Sequence, residues 1–297
     1  MSAPWQPEDL SLAFLTCPRE PAYFAATLAS LLLSDPLVAR LADIAVAVDA
    51  PDLGCMGALA GHGRVRWVAR TEEENARIAP YLLHRRACHN YWRAIGLAEA
   101  APRAAIVCED DLVFRDGWLG MLLECLDEMQ ADGLEDFLLA AYSPGDHEAP
   151  PLRRGRCYSS YVAHSYYGGQ AMIFSRGEIA PVRELVWRHG VVEPEEPYDL
   201  LVKRRAIERQ HLYTTRHSLV QHLGVQSTGL GWGHTSPSFG REWPRAEGAG
   251  SPRQKGRGPR TARKSRRAGR SLRSSTGQRR CSRILCGTMR RWGSRTS

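Results

Sequence analysis

The sequence predicts an α/β fold with a mainly parallel sheet flanked by helices. Three observations carry this. Short apolar runs of strand length alternate with longer stretches of helical period through the first half of the chain. The runs are apolar at nearly every position instead of every second one, which marks strands covered on both faces. The chain has 297 residues, 43% hydrophobic and 24% charged, so it can bury a core of that kind.

The elements follow in order. Leu10–Leu15 and Ile44–Val48 read as buried strands. Between them, Pro21–Ser34 reads as a helix with Phe24, Leu28, Leu31 and Leu32 on one stripe. Val65–Ala69 is the third strand. His84–Ala100 follows as a helix, with Tyr91, Ala94, Ile95 and Ala98 aligned, and leads into a fourth strand, Ala104–Cys108. Asp116–Ala131 is a helix with Asp116 as its N-cap and an apolar face of Trp118, Met121, Leu122, Cys125, Leu126 and Met129. Phe137–Ala141 is the next strand. The second half is less regular: Tyr158–Val162, Ala171–Phe174 and His211–Thr214 read as strands, and Ile179–His189 and Tyr198–Gln210 as helices. Gln226–Phe239 is rich in Gly, Ser and Thr and reads as a loop.

Charge divides the chain. The formal net charge is +8, which taken whole would suggest a nucleic-acid partner. Of the 40 Lys and Arg residues, 17 lie in 244–297 with a single acid, Glu247; the other 23 face 31 acids in 1–243. The expected organisation is therefore an acidic folded domain over 1–243 and a basic tail over 244–297. The tail lacks apolar periodicity and is expected to be disordered. Three readings of it stay open: a basic arm for anionic membrane surfaces or nucleic acid, a flexible tail without a partner, and a frame-shifted reading of a GC-rich gene.

The cysteines exclude further classes. Cys17, Cys55, Cys88, Cys108, Cys125 and Cys157 are scattered through apolar segments and form no CxxC pair, so neither a zinc ribbon nor a thioredoxin motif is present. Cys281 and Cys286 are too isolated to suggest zinc. A reducing compartment fits this usage. No apolar run is long enough for a transmembrane helix, and the opening MSAPWQPEDL lacks the basic flank of a signal peptide. A cytoplasmic location is expected, with peripheral membrane contact left open.

The chemistry concentrates in Glu109-Asp110-Asp111, directly after the strand Ala104–Cys108 and before the apolar Leu112-Val113-Phe114. Three acids at the end of a buried strand repel one another and are costly to desolvate. A hard divalent cation, Mn²⁺ or Mg²⁺, is the simplest compensating partner, and such ions often share their carboxylates with substrate phosphates. Carboxyl ends of strands are where open α/β sheets bind ligands.

This strand, acidic triplet and apolar segment resemble the DxD-type motif of GT-A-fold glycosyltransferases. The Glu-Asp-Asp variant is similar to bacterial lipooligosaccharide-type transferases and the N-acetylglucosaminyltransferase IV group. The resemblance spans roughly residues 10–240. It implies Glu109, Asp110 and Asp111 as metal ligands, with Asp110 also at the donor. Leu12-Ala-Phe-Leu-Thr-Cys-Pro-Arg19 resembles the first strand and the loop that cups base and ribose, which implies Thr16 and Arg19 as donor contacts. Asp49, at the end of the second strand, is implied at uracil or ribose. Arg86, Asn90 and Arg93 share one face of a helix that in the family often carries an Arg or Asn facing the donor, which implies these three as donor contacts in reach of its diphosphate. Gly168, Gly169 and Gln170 resemble the segment passing beneath the donor sugar. Glu195-Glu-Pro-Tyr-Asp199 resembles the start of the helix that carries the general base in inverting members, which implies Asp199 and, second, Glu196; a helix cap is the competing role for Asp199. Ser218-Leu-Val-Gln-His222-Leu-Gly-Val-Gln-Ser227 resembles a late family segment whose histidine, here His222, reaches metal or phosphate. His217 stands where that segment has Pro.

The function implied is metal-dependent transfer of a sugar from a nucleotide-sugar donor, UDP-linked by the resemblance, to a hydroxyl on a saccharide, lipid-linked or protein acceptor. The alternatives are a metal-dependent phosphoryl-transfer or hydrolytic α/β enzyme, which would need a nucleophilic Asp or a second metal cluster, and a nucleic-acid-binding protein acting through its tail.

Overall fold

The computed structural model describes residues 3–19, 22–143, 151–161, 169–209, 212–223 and 235–244. The chain divides into Met1–Ala249 and Gly250–Ser297, and the described residues belong to the first unit. The tail from 245 onward, Gly168 and most of the 226–239 loop lie outside the described residues. The fold is α/β, as expected.

The elements are β1 (Leu10–Thr16), α1 (Phe24–Ser34), β2 (Asp43–Val48), β3 (Arg66–Val68), α2 (Glu72–Ile78), α3 (Leu83–Ala98), β4 (Ala104–Cys108), β5 (Leu112–Phe114), α4 (Trp118–Ala131), β6 (Leu138–Ala140), β7 (Arg153–Arg154), β8 (Tyr158–Tyr161), β9 (Ala171–Ser175), α5 (Arg176–Val186), α6 (Tyr198–Glu208), β10 (Leu212–Thr215) and β11 (Val220–His222). Nine strands among the described residues form one sheet in the order β3-β2-β1-β4-β9-β6-β10-β8-β7. Strands β1, β2, β3 and β4 pair in parallel, as do β6 and β10. Strand β9 runs against both β4 and β6, and β8 against β10.

Burial explains the uniformly apolar strands. Along β1, Leu12 and Phe14 face one side while Ala13 and Leu15 face the other. In β4, Ile106 and Cys108 oppose Ala105 and Val107 in the same way. Helices α1 and α4 cover the first face through Phe24, Leu28, Leu31, Trp118, Leu122 and Leu126. Helices α3, α5 and α6 cover the second through Tyr91, Ile95, Val182, Leu201 and Val202. Alanines at 13, 47 and 105 share that second face with the fully buried Tyr91. No helix among the described residues is long and apolar enough to cross a membrane.

The local expectations shift in three places. Asp116 is not the cap of α4; Gly117 occupies that position in the left-handed region, φ 71°, where a side chain would be strained. The cap comes from outside the helix. Buried Asp35 accepts the Leu119 and Gly120 N–H groups at 3.0 and 3.1 Å with Oδ2, and that of Leu37 with Oδ1. Helix α5 starts three residues earlier than the periodicity predicts, at Arg176, and is followed by a π-helical segment, Trp187–Val192. Helix α2 is an element the apolar pattern does not predict. Its signal is a capping box: the Thr71 hydroxyl accepts the Glu74 N–H, and the Glu74 carboxylate accepts the Thr71 N–H.

His89 in α3 is fully buried, and neither ring nitrogen has a hydrogen-bond partner among the described residues. Burial, reinforced by Arg93, holds its pKa down at about 4. The unfolded chain then binds more protons between about pH 4 and 6.5, so the imidazole's contribution is intact above that window and is lost as pH falls through it. His89→Leu is expected to flatten the acid side of the stability profile, a difference of up to about 3 kcal/mol between pH 7 and pH 4. Urea unfolding across that range checks it; parallel profiles for the two proteins refute it.

Candidate functional site

The site builds up at the carboxyl ends of β1, β2 and β4. Four hydrogen bonds hold the acidic turn after β4. The buried Thr27 hydroxyl donates to the Asp110 carbonyl at 2.8 Å and accepts the Leu112 N–H at 2.9 Å, tying the turn to α1. The Glu109 N–H donates to the Gln170 carbonyl at 2.9 Å, prolonging the β4–β9 ladder. The Leu223 N–H donates to the Asp111 carbonyl at 2.7 Å, where β11 pairs antiparallel with β5 and sets His222 opposite Leu112.

This framework turns the three acids in different directions. Asp110 is directed to β1: its Oδ2 accepts the Thr16 hydroxyl at 2.6 Å, and its Oδ1 meets Arg19 Nη2 at 2.5 Å. Asp111 Oδ2 lies 3.0 Å from Arg19 Nη2 and 3.2 Å from His222 Nε2. Glu109 Oε1 accepts the Tyr198 hydroxyl at 2.5 Å. One carboxylate oxygen each of Glu109 and Asp111 and one ring nitrogen of His222, groups able to bind a metal, all lie within 4.8 Å of one another.

Their electrostatics differ accordingly. Burial pushes the Glu109 carboxyl up, and the Asp111 charge adds to this. Burial raises Asp110 to about 6, against the pull of Arg19 and Thr16. For Asp111 burial acts in the same direction, but His222 and Arg19 outweigh it and hold the carboxyl below its usual range. Asp111 Oδ1 is buried with no hydrogen-bond partner among the described residues. An orphaned carboxylate oxygen beside a second carboxylate and an imidazole is a donor set that fits a divalent cation. Outside this group, His189, Glu193 and Glu195 also gather at the end of the π-helical segment, with both glutamates largely exposed and His189 Nδ1 3.0 Å from a Glu195 oxygen.

A cleft of about 490 Å³ opens beside the acids. Thr16, Cys17, Arg19, Tyr23 and Asp110 line one side, and Cys55, Met56 and Leu59 of the 3-10 segment Gly54–Gly61 line the other. Burial pushes the Cys17 thiol up to about 12, so it offers no thiolate nucleophile near neutral pH.

Asp49 pairs with two arginines: its Oδ1 lies 2.8 Å from Arg70 Nη1, and its Oδ2 accepts Arg86 Nη2 at 2.9 Å. Asn90 donates to the carbonyls of Thr16 and Ala47, and Arg93 to those of Val48, Val68 and Ala69. Their N–H groups therefore bind backbone carbonyls at or just past the ends of β1, β2 and β3. Gly169 is buried and Gln170 half-buried where β9 begins beside Glu109. Glu196 meets α3 through its carbonyl, which accepts the Cys88 thiol at 3.6 Å. Asp199 is the second residue of α6, directly after Tyr198. Burial raises its carboxyl, partly offset by N–H groups at the helix start.

Comparison with known proteins gives remote likenesses. No family model matches the chain, and no curated protein matches it. Among solved structures, the chain is similar to residues 1–349 of TarS from S. aureus, with a TM-score of 0.45 and 12% identity over 70% of this chain and 58% of that one. A second TarS structure from S. aureus aligns with a TM-score of 0.45 and 12% identity over 69% of this chain and 34% of that one. The galactosyltransferase LgtC, in complex with donor and acceptor sugar analogues, aligns with a TM-score of 0.41 and 13% identity over 65% of this chain and 69% of that one. The chain thus spans well under two thirds of the TarS structures it matches.

Four site residues escape a reading of the sequence. Thr27 had a signal: it is a polar residue on the buried stripe of Phe24, Leu28 and Leu31. Arg70 and Tyr198 had none, because each acts on a partner from a distant element. Met56 lies in a segment without apolar periodicity.

Proposed function

We propose that this chain is a metal-dependent glycosyltransferase that uses a nucleotide-sugar donor. The observation that carries the reading is the convergence of Glu109, Asp111 and His222 at the end of β4, next to a cleft of about 490 Å³ at the end of β1. The sequence resemblance around the acidic triplet supports it independently of the geometry. The cleft suits a base and ribose, with Thr16 and Arg19 at its mouth and Met56 and Leu59 as its apolar wall.

Glu109, Asp111 and His222 would hold the ion, and an imidazole among the ligands favours Mn²⁺ over Mg²⁺, whose sites are built from oxygen. Charge stabilisation of the leaving diphosphate is the chemistry such a cation supplies. Arg19 adds a guanidinium at the same edge, suited to bidentate recognition of phosphate. Asp110, bonded by Thr16 and Arg19, sets the position of that guanidinium. Asp49 would accept from a ribose hydroxyl or uracil N–H, held there by Arg70 and Arg86. Asp199 would deprotonate the acceptor hydroxyl in an inverting transfer, its raised carboxyl being readier to take a proton near neutral pH. The acceptor is a saccharide, lipid-linked or protein hydroxyl.

Purified protein is expected to release nucleoside diphosphate from a UDP-sugar in the presence of Mn²⁺ and to stop on chelation. A screen across UDP- and GDP-sugars reads this directly. Release of inorganic phosphate from nucleotides, with no sugar dependence, would favour the phosphoryl-transfer alternative.

A further inference from the structure

Glu109 makes one contact that its part in the donor set does not explain. The Tyr198 hydroxyl donates to Oε1 at 2.5 Å, across 89 residues of sequence. The ring behind that hydroxyl is itself fixed. It stacks on Tyr91, with centroids 4.4 Å apart and planes 13° from parallel. Tyr91 is fully buried in α3, and its own hydroxyl has no hydrogen-bond partner among the described residues, so it acts through its ring face. The backbone leading to Tyr198 is held by the Cys88 thiol on the Glu196 carbonyl and by the Leu200 and Leu201 N–H groups on the Pro197 carbonyl. A stacked, hydrogen-bonded phenol of this kind has little freedom left to lose.

We propose that Tyr198 is a positioning residue for the cation site: by holding one oxygen of Glu109 it fixes the orientation of the other, so that the carboxylate faces Asp111 and His222 before an ion arrives. This rests on the metal-dependent reading above. Hydrogen bonds from an outer shell to a ligating carboxylate commonly change metal affinity about 10–100-fold. Tyr198 also begins the helix that carries Asp199, the next residue, so the stack joins the metal side of the site to the acceptor side through one peptide unit.

The test is Mn²⁺ binding by the full chain without donor, measured by calorimetry. Tyr198→Phe keeps the ring and its stack but loses the hydroxyl. It is expected to bind Mn²⁺ about 10–100-fold more weakly. Tyr91→Phe, which removes a hydroxyl that bonds nothing among the described residues, is expected to bind as wild type does. A Tyr198→Phe protein whose melting temperature falls while its Mn²⁺ affinity stays at the wild-type value, or rises, overturns the inference and leaves the metal reading standing. Equal weakening in Tyr91→Phe also overturns it, because the effect would then belong to the stack and not to the hydroxyl. A wild-type protein that binds no Mn²⁺ overturns the metal reading, and this inference with it.

Discussion

Asp111→Asn is expected to abolish Mn²⁺ binding, and with it metal-dependent donor binding, in a protein that still folds. The loss should exceed the roughly 10–100-fold typical of outer-shell changes, because a ligand and its charge go together. Charge repulsion alone would make the three acids equivalent, so that removing any one of them relieves strain. The geometry breaks that equivalence. Asp111 lies between His222 and Arg19, which hold its carboxyl below the usual range. Its ionised form therefore stabilises the native state above the ordinary carboxylate pKa, and that contribution is lost as pH falls through the lowered value. The Asp111→Asn protein would forfeit it, at a cost of about 1–3 kcal/mol. Asp110 has the opposite sign: burial raises it to about 6, and its penalty grows as pH rises from about 4 to that value. Calorimetry with Mn²⁺ alone and with UDP and Mn²⁺ decides the matter. Unchanged binding in Asp111→Asn would remove this residue from the mechanism.

Asp199→Asn is expected to lower turnover by at least about a hundredfold while stability stays near wild type. The structure narrows the competing role. The cap position of α6 is occupied by Pro197, which makes no side-chain cap, and Asp199 is the second residue of the helix. An acid there gains from the helix dipole about 0.3–1 kcal/mol, much of which the polar Asn side chain cannot supply but which is small against the whole fold. A general base, by contrast, contributes about 10²–10⁴-fold to rate, and Asn cannot take a proton. Donor and Mn²⁺ affinity should be nearly unchanged, since Asp199 is not among the residues gathered at the candidate cation site. Turnover with a matched donor and acceptor, followed beside thermal melting, separates the roles. Should turnover survive, Glu196 or a retaining mechanism becomes the better reading.

How far the site was legible can be judged from particular residues. The acidic triplet was legible because a buried apolar strand running straight into three carboxylates is a local contradiction that some partner must resolve. His222 was reachable only through family resemblance, since a single histidine far down the chain has no local pattern. Arg93 and Asn90 share a helix face, as their spacing requires, yet their donors end on strand carbonyls. Helical spacing tells which side chains point together but not which distant carbonyls they meet.

The sequence by itself determined the strands buried on both faces, the helix stripes that cover them and the position of the acids at a strand end. These depend on period and composition over a few residues, where backbone geometry alone links pattern to structure. The antiparallel course of β9 had no such signal, because a strand apolar at every position reads the same in both directions. Only the tertiary structure decided that Asp35 caps α4, that Asp110 turns to Thr16 while Asp111 turns to His222, and that Tyr198 reaches Glu109. Each of these joins residues far apart in the chain, and such contacts are set by strand order and register, which no local pattern encodes.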